Sequence, residues 1–448
     1  MLTRRSMLAT GGAIMLGSAV ARAVGQQAPS STGFVRRDGL RLTLDGRPYR
    51  FAGANMWYAA YLGADAPFGD RARLRRELAA MKATGITNVR ILGASEASPL
   101  SGAPQPSMSD HKGVRNEVLL AGLDYALAEM GRLGLKAVVY LNNFWDWSGG
   151  MMVYLNWTTG QYIKMGDPAF PWPAYPDAVS AFYTDAKAMR MSHDYLRAVV
   201  TRTNTVTGGR YVDDPTIMSW QLCNEPRPGE SAAVSARVMP AYLAWIRETS
   251  GLIKSLDKRH LVSIGSEGTK GCVGSTQCVT DGAALPDVDY MTIHIWPQNF
   301  GWLKPADMAG TWGRTETNTR DYITQHVALA RSVGKPLVIE EFGFPRDGLS
   351  YDAGTPTTYK DRFYRLIFDS IAADAAGGGP LAGSNFWAWS GEGRAEHGDH
   401  AYRQGDTSYL GDPCHEPQGW YSVFDVDRTT RAVIAEHAQA LRKLQGAA

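Results

Sequence analysis

Short apolar runs alternate along the chain with longer stretches in which apolar positions return every three or four residues. The short runs cover 49–54, 88–92, 137–141, 217–222, 261–265, 290–294, 337–341 and 383–387. Their length and their boundaries at polar or Gly-rich segments predict buried strands. Between them Leu74, Leu78 and Met81 recur at helical spacing, as do Leu119, Leu123, Leu127 and Met130, and 361–371 shows the same period. Strand–helix alternation without a domain-sized linker predicts a parallel sheet. Eight strands predict its closure, giving the α/β class with a (β/α)8 TIM barrel. An open doubly wound sheet is the alternative, but it would begin with a Gly-rich phosphate loop that is not found. The turns Asp38-Gly39 and Asp45-Gly46 predict a short N-terminal β-hairpin before the first barrel strand. Insertions at about 144–175 and 391–420 predict long loops at the C-terminal face.

The first residues follow another pattern. Thr3-Arg4-Arg5-Ser6-Met7-Leu8 places an arginine pair ahead of an apolar stretch from Ala9 to Val20, and Ala21-Arg22-Ala23 offers a small-x-small cleavage site. This predicts a twin-arginine signal peptide over 1–23, a tether over 24–32, one domain over 33–448, and a bacterial protein exported to the periplasm or secreted. A Sec signal or an uncleaved anchor is the alternative. No other segment is apolar and long enough to span a bilayer.

Composition narrows the classes further. With 44% hydrophobic residues in 448, the chain can bury a large core, which excludes intrinsic disorder. The 46 basic and 44 acidic residues form no long run of one sign, so a nucleic-acid partner is not expected. Cys272 and Cys278 lie close together in a Gly-rich loop and could form a disulfide in an oxidising compartment, with Cys414 as a competing partner, while Cys223 reads as a buried thiol. There is no Cys-x-x-Cys, and Glu396-His397-Gly398-Asp399-His400 fits no helical zinc spacing, so neither metal nor cofactor is expected.

In a barrel, chemistry collects where the strands end. The predicted strand ends carry Trp57, Arg90, Asn142-Asn143-Phe144-Trp145-Asp146-Trp147, Asn224-Glu225, His294-Ile295-Trp296, Glu340-Glu341 and Trp387. Glu225 and Glu341 follow strands four and seven, on opposite sides of an eight-stranded ring. Two carboxyls facing each other among tryptophans suit cleavage of a glycosidic bond, where one group protonates the leaving oxygen and the other attacks the anomeric carbon or activates water. Arg90 and His294 are donors that could orient and ionise the nucleophile. Trp145, Trp147 and Trp157 could be sugar platforms or loop packing.

Here the chain resembles glycoside hydrolase family 5. The matching pieces are Trp220-Gln221-Leu222-Cys223-Asn224-Glu225-Pro226-Arg227, Ile339-Glu340-Glu341-Phe342-Gly343, Asn88-Val89-Arg90, His294 and Trp387. Segments 55–63, 142–151, 265–268 and 411–425 look most like the β-mannan branch, especially its exo-acting members. The resemblance implies Glu225 as acid/base and Glu341 as nucleophile in a retaining double displacement, with the carboxyls about 5–5.5 Å apart. It implies substrate contacts from Trp57, Arg90, Asn143, Asn224, His294, Trp296 and Trp387, with Asn224 on the 2-hydroxyl and Trp387 beneath the attacked sugar. Glu340 is expected to face away, because strand neighbours point to opposite faces. Many relatives have Tyr where this chain has Trp296. The expected partner is β-mannan or a manno-oligosaccharide, acted on by a monomer. A β-glucan hydrolase and a binding protein without catalysis are the alternatives.

Overall fold

The computed structural model describes residues 33–99 and 103–446. The expected signal peptide over 1–23 and tether over 24–32 lie outside the described residues. The chain first forms three short antiparallel strands, β1 (Arg36–Asp38), β2 (Arg41–Leu44) and β3 (Arg47–Pro48), in the order β1-β2-β3. The expected hairpin is therefore a meander. Each Asp-Gly pair makes its own reversal, with Gly39 and Gly46 at φ 56° and 76°, a region open to glycine. Val35 and Leu42 from this meander pack against Val138, Met218, Leu261 and Val338 and plug the N-terminal end of the barrel.

Eight parallel strands follow: β4 (Phe51–Asn55), β5 (Asn88–Leu92), β6 (Lys136–Tyr140), β7 (Ile217–Gln221), β8 (Leu261–Ser263), β9 (Met291–Ile295), β10 (Leu337–Phe342) and β11 (Leu381–Phe386). Their order is β8-β7-β6-β5-β4-β11-β10-β9, and a parallel bridge between Ser263 and Tyr290 joins the two ends of the series. The ring closes as a (β/α)8 TIM barrel. Every strand residue is buried, because side chains fill the interior and helices cover the outside. The helix Arg71–Thr84 starts on an Asp70 carboxylate that accepts from the Arg73 N–H, and Glu117–Leu133 starts on Asn116 in the same way. Leu74, Leu78, Met81, Leu119, Leu123, Leu127 and Met130 are buried from these helices against the sheet.

Two irregularities shape the top of the barrel. Along β10 the register against β9 shifts between Ile339 and Glu341, so Glu340 is an extra residue opposite β9. The loop after β11 returns as β12 (Trp389–Gly391) paired with β13 (Val423–Phe424). Glu77 on the helix Arg71–Thr84 fastens that loop, accepting from the Trp389 indole, from Arg73 at 2.8 Å and from the Glu392 backbone N–H at 3.1 Å.

Candidate active site

Glu225 sits just beyond β7 with φ 53°, which costs a non-glycine residue about 1–2 kcal/mol. Its N–H donates to the Gly265 carbonyl at 2.9 Å. Gly265 itself is at φ 83°, and a Cβ there would run into the Cys223 carbonyl, so glycine lets the β7 and β8 loops approach this closely. Backbone strain of this kind persists where surrounding contacts over-determine it. The Glu225 side chain is fixed on both oxygens. Oε1 lies 2.5 Å from His294 Nδ1 and accepts from Trp296 Nε1 at 3.3 Å, while Oε2 accepts from Trp145 Nε1 at 2.5 Å.

Glu341, on β10, faces it across the barrel mouth. The Arg90 guanidinium donates to its Oε1, and Oε2 lies 3.3 Å from His294 Nδ1. One donor atom from each of Glu225, His294 and Glu341 lies within 4.8 Å of the others. Arg90 also donates to Gln221 Oε1 at 2.9 and 2.7 Å, to Asn55 Oδ1 at 3.0 Å and to Asn224 Oδ1 at 2.7 Å. The Asn224 amide donates in turn to Asn143 Oδ1 at 3.1 Å.

The bulge in β10 corrects the expectation for Glu340. Its carboxylate does not face away from the interior: it accepts from Gln221 Nε2 at 2.5 Å and lies 3.7 Å from Arg90 Nε and 3.8 Å from His294 Nε2. Both neighbouring glutamates turn inward, Glu341 into the cavity and Glu340 beneath it.

These charges control each other. Burial pushes the Glu341 carboxyl up to about 7; His294 and Arg90 work against that rise, and repulsion from Glu225 and Glu340 adds to it. Burial also pushes Glu225 up, but the His294 bond and charge, the Arg227 charge and the Trp145 N–H outweigh it and hold Glu225 below the usual carboxylate value. Burial would lower His294, yet the Glu341 charge, the bond to Glu225 and the nearby Glu340 carboxylate raise it to about 10. An imidazolium has no free lone pair for a metal, so this cluster is built to hold and move protons.

A cavity of about 580 Å³ opens over the two carboxylates. Asn224, Glu225, Trp296, Glu341 and Trp387 line it. Trp57, Arg90, Asn143 and His294 lie behind these lining residues. Trp57 is packed edge-on against Trp147, Tyr58, Tyr61 and Tyr409, and the other three hold the lining residues from behind. Lining residues outside the expected set include Trp145, Trp172, Arg227, Glu267, Lys270 and Glu416, all from loops that follow β6, β7, β8 and β11. Burial and the nearby Asp412, Glu341 and Glu225 charges hold the Glu416 carboxyl well above its ordinary value.

The family described as GH family 5 beta-mannosidase-like matches residues 32–446. The chain belongs to this family. A family 5 mannosidase from Rhizomucor miehei is 35% identical, with a TM-score of 0.84 over 94% of this chain and 100% of that one. A mutant of that enzyme, at the same identity and TM-score over 93% of this chain and 99% of that one, was solved in complex with mannosyl-fructose. Mannan endo-1,4-beta-mannosidase 1 of Arabidopsis thaliana is 31% identical over 374 residues, 80% of this chain and 82% of its own length. The rice protein of the same name, from Oryza sativa subsp. japonica, is 32% identical over 374 residues, 79% and 78%. As a member of family 5, the chain is a glycosidase. These comparisons correct one expectation. The curated relatives are plant mannanases, not bacterial proteins, so assignment of the N-terminus to a bacterial twin-arginine export route is withdrawn. Among the described residues no helix is long and apolar enough to cross a membrane.

Proposed function

We propose that residues 33–448 form one catalytic domain that cleaves β-mannosidic bonds of mannan or manno-oligosaccharides by double displacement, with Glu225 as acid/base and Glu341 as nucleophile. The observation that carries the reading is the approach of Glu225, His294 and Glu341 within 4.8 Å at the ends of β7, β9 and β10, under a cavity floored by tryptophan. Closely spaced carboxyls leave no room for a water between them and the sugar, which favours a covalent glycosyl-enzyme over direct inversion. The mannosyl-fructose complex of a relative and the mannanase names of the plant relatives support mannose as the sugar.

The working proton arrangement requires Glu225 protonated and Glu341 ionised. His294 Nδ1 touches one and stands 3.3 Å from the other, so a short transfer through the imidazole repartitions the proton. A leaving oxygen placed against Glu225 favours its neutral form, and positive charge developing at the anomeric carbon favours the Glu341 anion. Arg90 keeps one Glu341 oxygen bound and leaves the other to attack. Asn224, aligned by Arg90 and Asn143, presents its amide to a ring hydroxyl.

Digestion of mannohexaose and carboxymethylcellulose side by side tests the substrate. Mannose released first indicates chain-end action and mixed oligomers indicate internal cleavage, whereas products from cellulose alone overturn the reading. Glu341→Ala should abolish turnover with the fold intact, and proton NMR should detect the β-anomer first. Initial α-product would exclude double displacement.

A further inference from the structure

Glu225 is reached by a chain of side chains that its reading as acid/base does not require. Arg227, two residues on, donates from Nε to Glu267 Oε2 at 2.7 Å and from Nη2 to Glu267 Oε1 at 2.9 Å, a two-pronged clamp. Its third nitrogen donates to Glu230 at 2.6 Å. The guanidinium lies 5.0 Å from the Trp145 ring centroid. Trp145 is stacked on Tyr175 at 5.9 Å and on Trp172 at 6.4 Å, and meets Phe144 edge-on. An indole pinned on both faces has one polar atom to aim, and Trp145 Nε1 donates it to Glu225 Oε2.

We propose that Trp145 is a positioning residue for the acid step: held by the Glu267–Arg227 clamp, it fixes the orientation of the Glu225 carboxyl and sets how readily that carboxyl gives up its proton. The claim rests on Glu225 being the acid/base. An indole N–H donates and cannot accept. Trp145 therefore holds Oε2 by donation, while Trp296 and His294 hold Oε1. Fixing both oxygens aligns the carboxyl for delivery to a leaving group without rotation at the moment of bond cleavage. Proton balance is simple: the Glu225 carboxyl proton passes to the glycosidic oxygen as the C–O bond breaks, and the attacking water returns one to Glu225 in the second step.

The clamp also sets how tightly Glu225 holds that proton. Glu225 is faced by His294 from β9, Glu341 from β10, Arg227 and Cys223 from its own segment, Glu267 from the loop after β8 and Glu416 from the loop after β11. Trp145 stabilises the Glu225 anion by donating to it. Glu267 does the opposite, by repelling Glu225 and by neutralising part of the Arg227 charge. Trp145→Phe should therefore raise the limb of kcat/KM that Glu225 sets, and Glu267→Gln should lower it.

The test uses the whole chain on two substrates, mannobiose and 2,4-dinitrophenyl β-mannoside, whose leaving group needs no acid. Trp145→Phe should lower kcat/KM on mannobiose by about tenfold or more, within the span of general-acid effects, while kcat/KM on the dinitrophenyl mannoside, which reports the glycosylation step, stays within about twofold. Glu225→Ala provides the reference: a loss of kcat/KM on mannobiose with little loss of kcat/KM on the activated substrate upholds the acid/base reading itself, and equal losses sink that reading. If that reference holds, equal losses on both substrates in Trp145→Phe, or limbs that move in the same direction in the two variants, overturn the positioning role. Should Trp145→Phe fail to fold, the nearly isosteric Glu267→Gln still decides, because an unmoved or raised Glu225 limb contradicts the clamp.

Discussion

Arg90 has no exposed surface, yet it touches the nucleophile candidate, Asn224 and the barrel floor at once. A buried guanidinium needs counter-charge, and two neighbouring glutamates supply it from one strand. Glu340 does not line the cavity, so it acts on the site from beneath, through its charge and its bond from Gln221. Its charge pushes both Glu341 and His294 up. The working pair carries one proton, and Glu341 holds it up to about 7, so kcat/KM should fall on the alkaline side with a midpoint near 7 as that proton is lost. Glu340→Gln removes one of the charges that raise Glu341, and that limb should move to lower pH. Because the substitution leaves every cavity-lining side chain in place, kcat at the optimum should stay within about tenfold of wild type. A pH–rate profile of both proteins checks this, and an alkaline limb that stays in place or rises refutes it. Glu341→Gln in the same experiment should be inactive at every pH.

The strands and their chemistry were legible because each motif carries its own local signal: an apolar run, then Asn224-Glu225 or Glu340-Glu341. What spans two elements was not. The inward turn of Glu340 comes from the shifted register of β10 on β9, a property of pairing that alternation along one strand cannot reveal. Trp145 reaches Glu225 because the β6 and β7 loops meet in space, 80 positions apart in sequence. The cysteines show the same limit. Sequence left Cys272, Cys278 and Cys414 open, and the fold joins Cys272 to Cys278 and buries Cys414 as a free thiol. That disulfide lies in the loop carrying Glu267 and Lys270 to the cavity. Closing so short a loop constrains the unfolded chain by about 2 kcal/mol on the chain-entropy account. Cys278→Ser should lower unfolding stability by about that amount in urea titrations. A loss near zero would mean that the loop is held wholly by its hydrogen bonds.

For the whole molecule, the pH at which the fold is tightest follows from where its histidines sit. His326 is buried and committed to one neutral form. Its Nε2 accepts from the Thr269 N–H at 2.9 Å, so the proton must be on Nδ1, which faces the Tyr322 carbonyl at 2.7 Å. Burial lowers it to about 4, and burial lowers His437, stacked on Phe368 at 4.1 Å, to about 3. A group whose folded pKa is depressed binds protons more readily in the unfolded chain. Its contribution is whole above about 6.5 and is lost as pH falls towards 4 for His326 and towards 3 for His437. His294 has the opposite sign. Raised to about 10, it contributes fully below about 6.5 and loses that contribution as pH rises towards 10. Thermal stability should therefore be highest near neutrality and fall on both sides, the acidic loss from His326 alone amounting to about 3 kcal/mol. Protonated His326 would also drop the Thr269 N–H, releasing the loop that holds Glu267 against Arg227, so acid should impair the clamp together with the fold. His326→Gln offers Thr269 a neutral acceptor that does not titrate. Its melting temperature should be lower than wild type at pH 7 and the gap should narrow as pH falls to 4. A gap that is constant across that range would show that His326 does not govern the acid limit of this barrel.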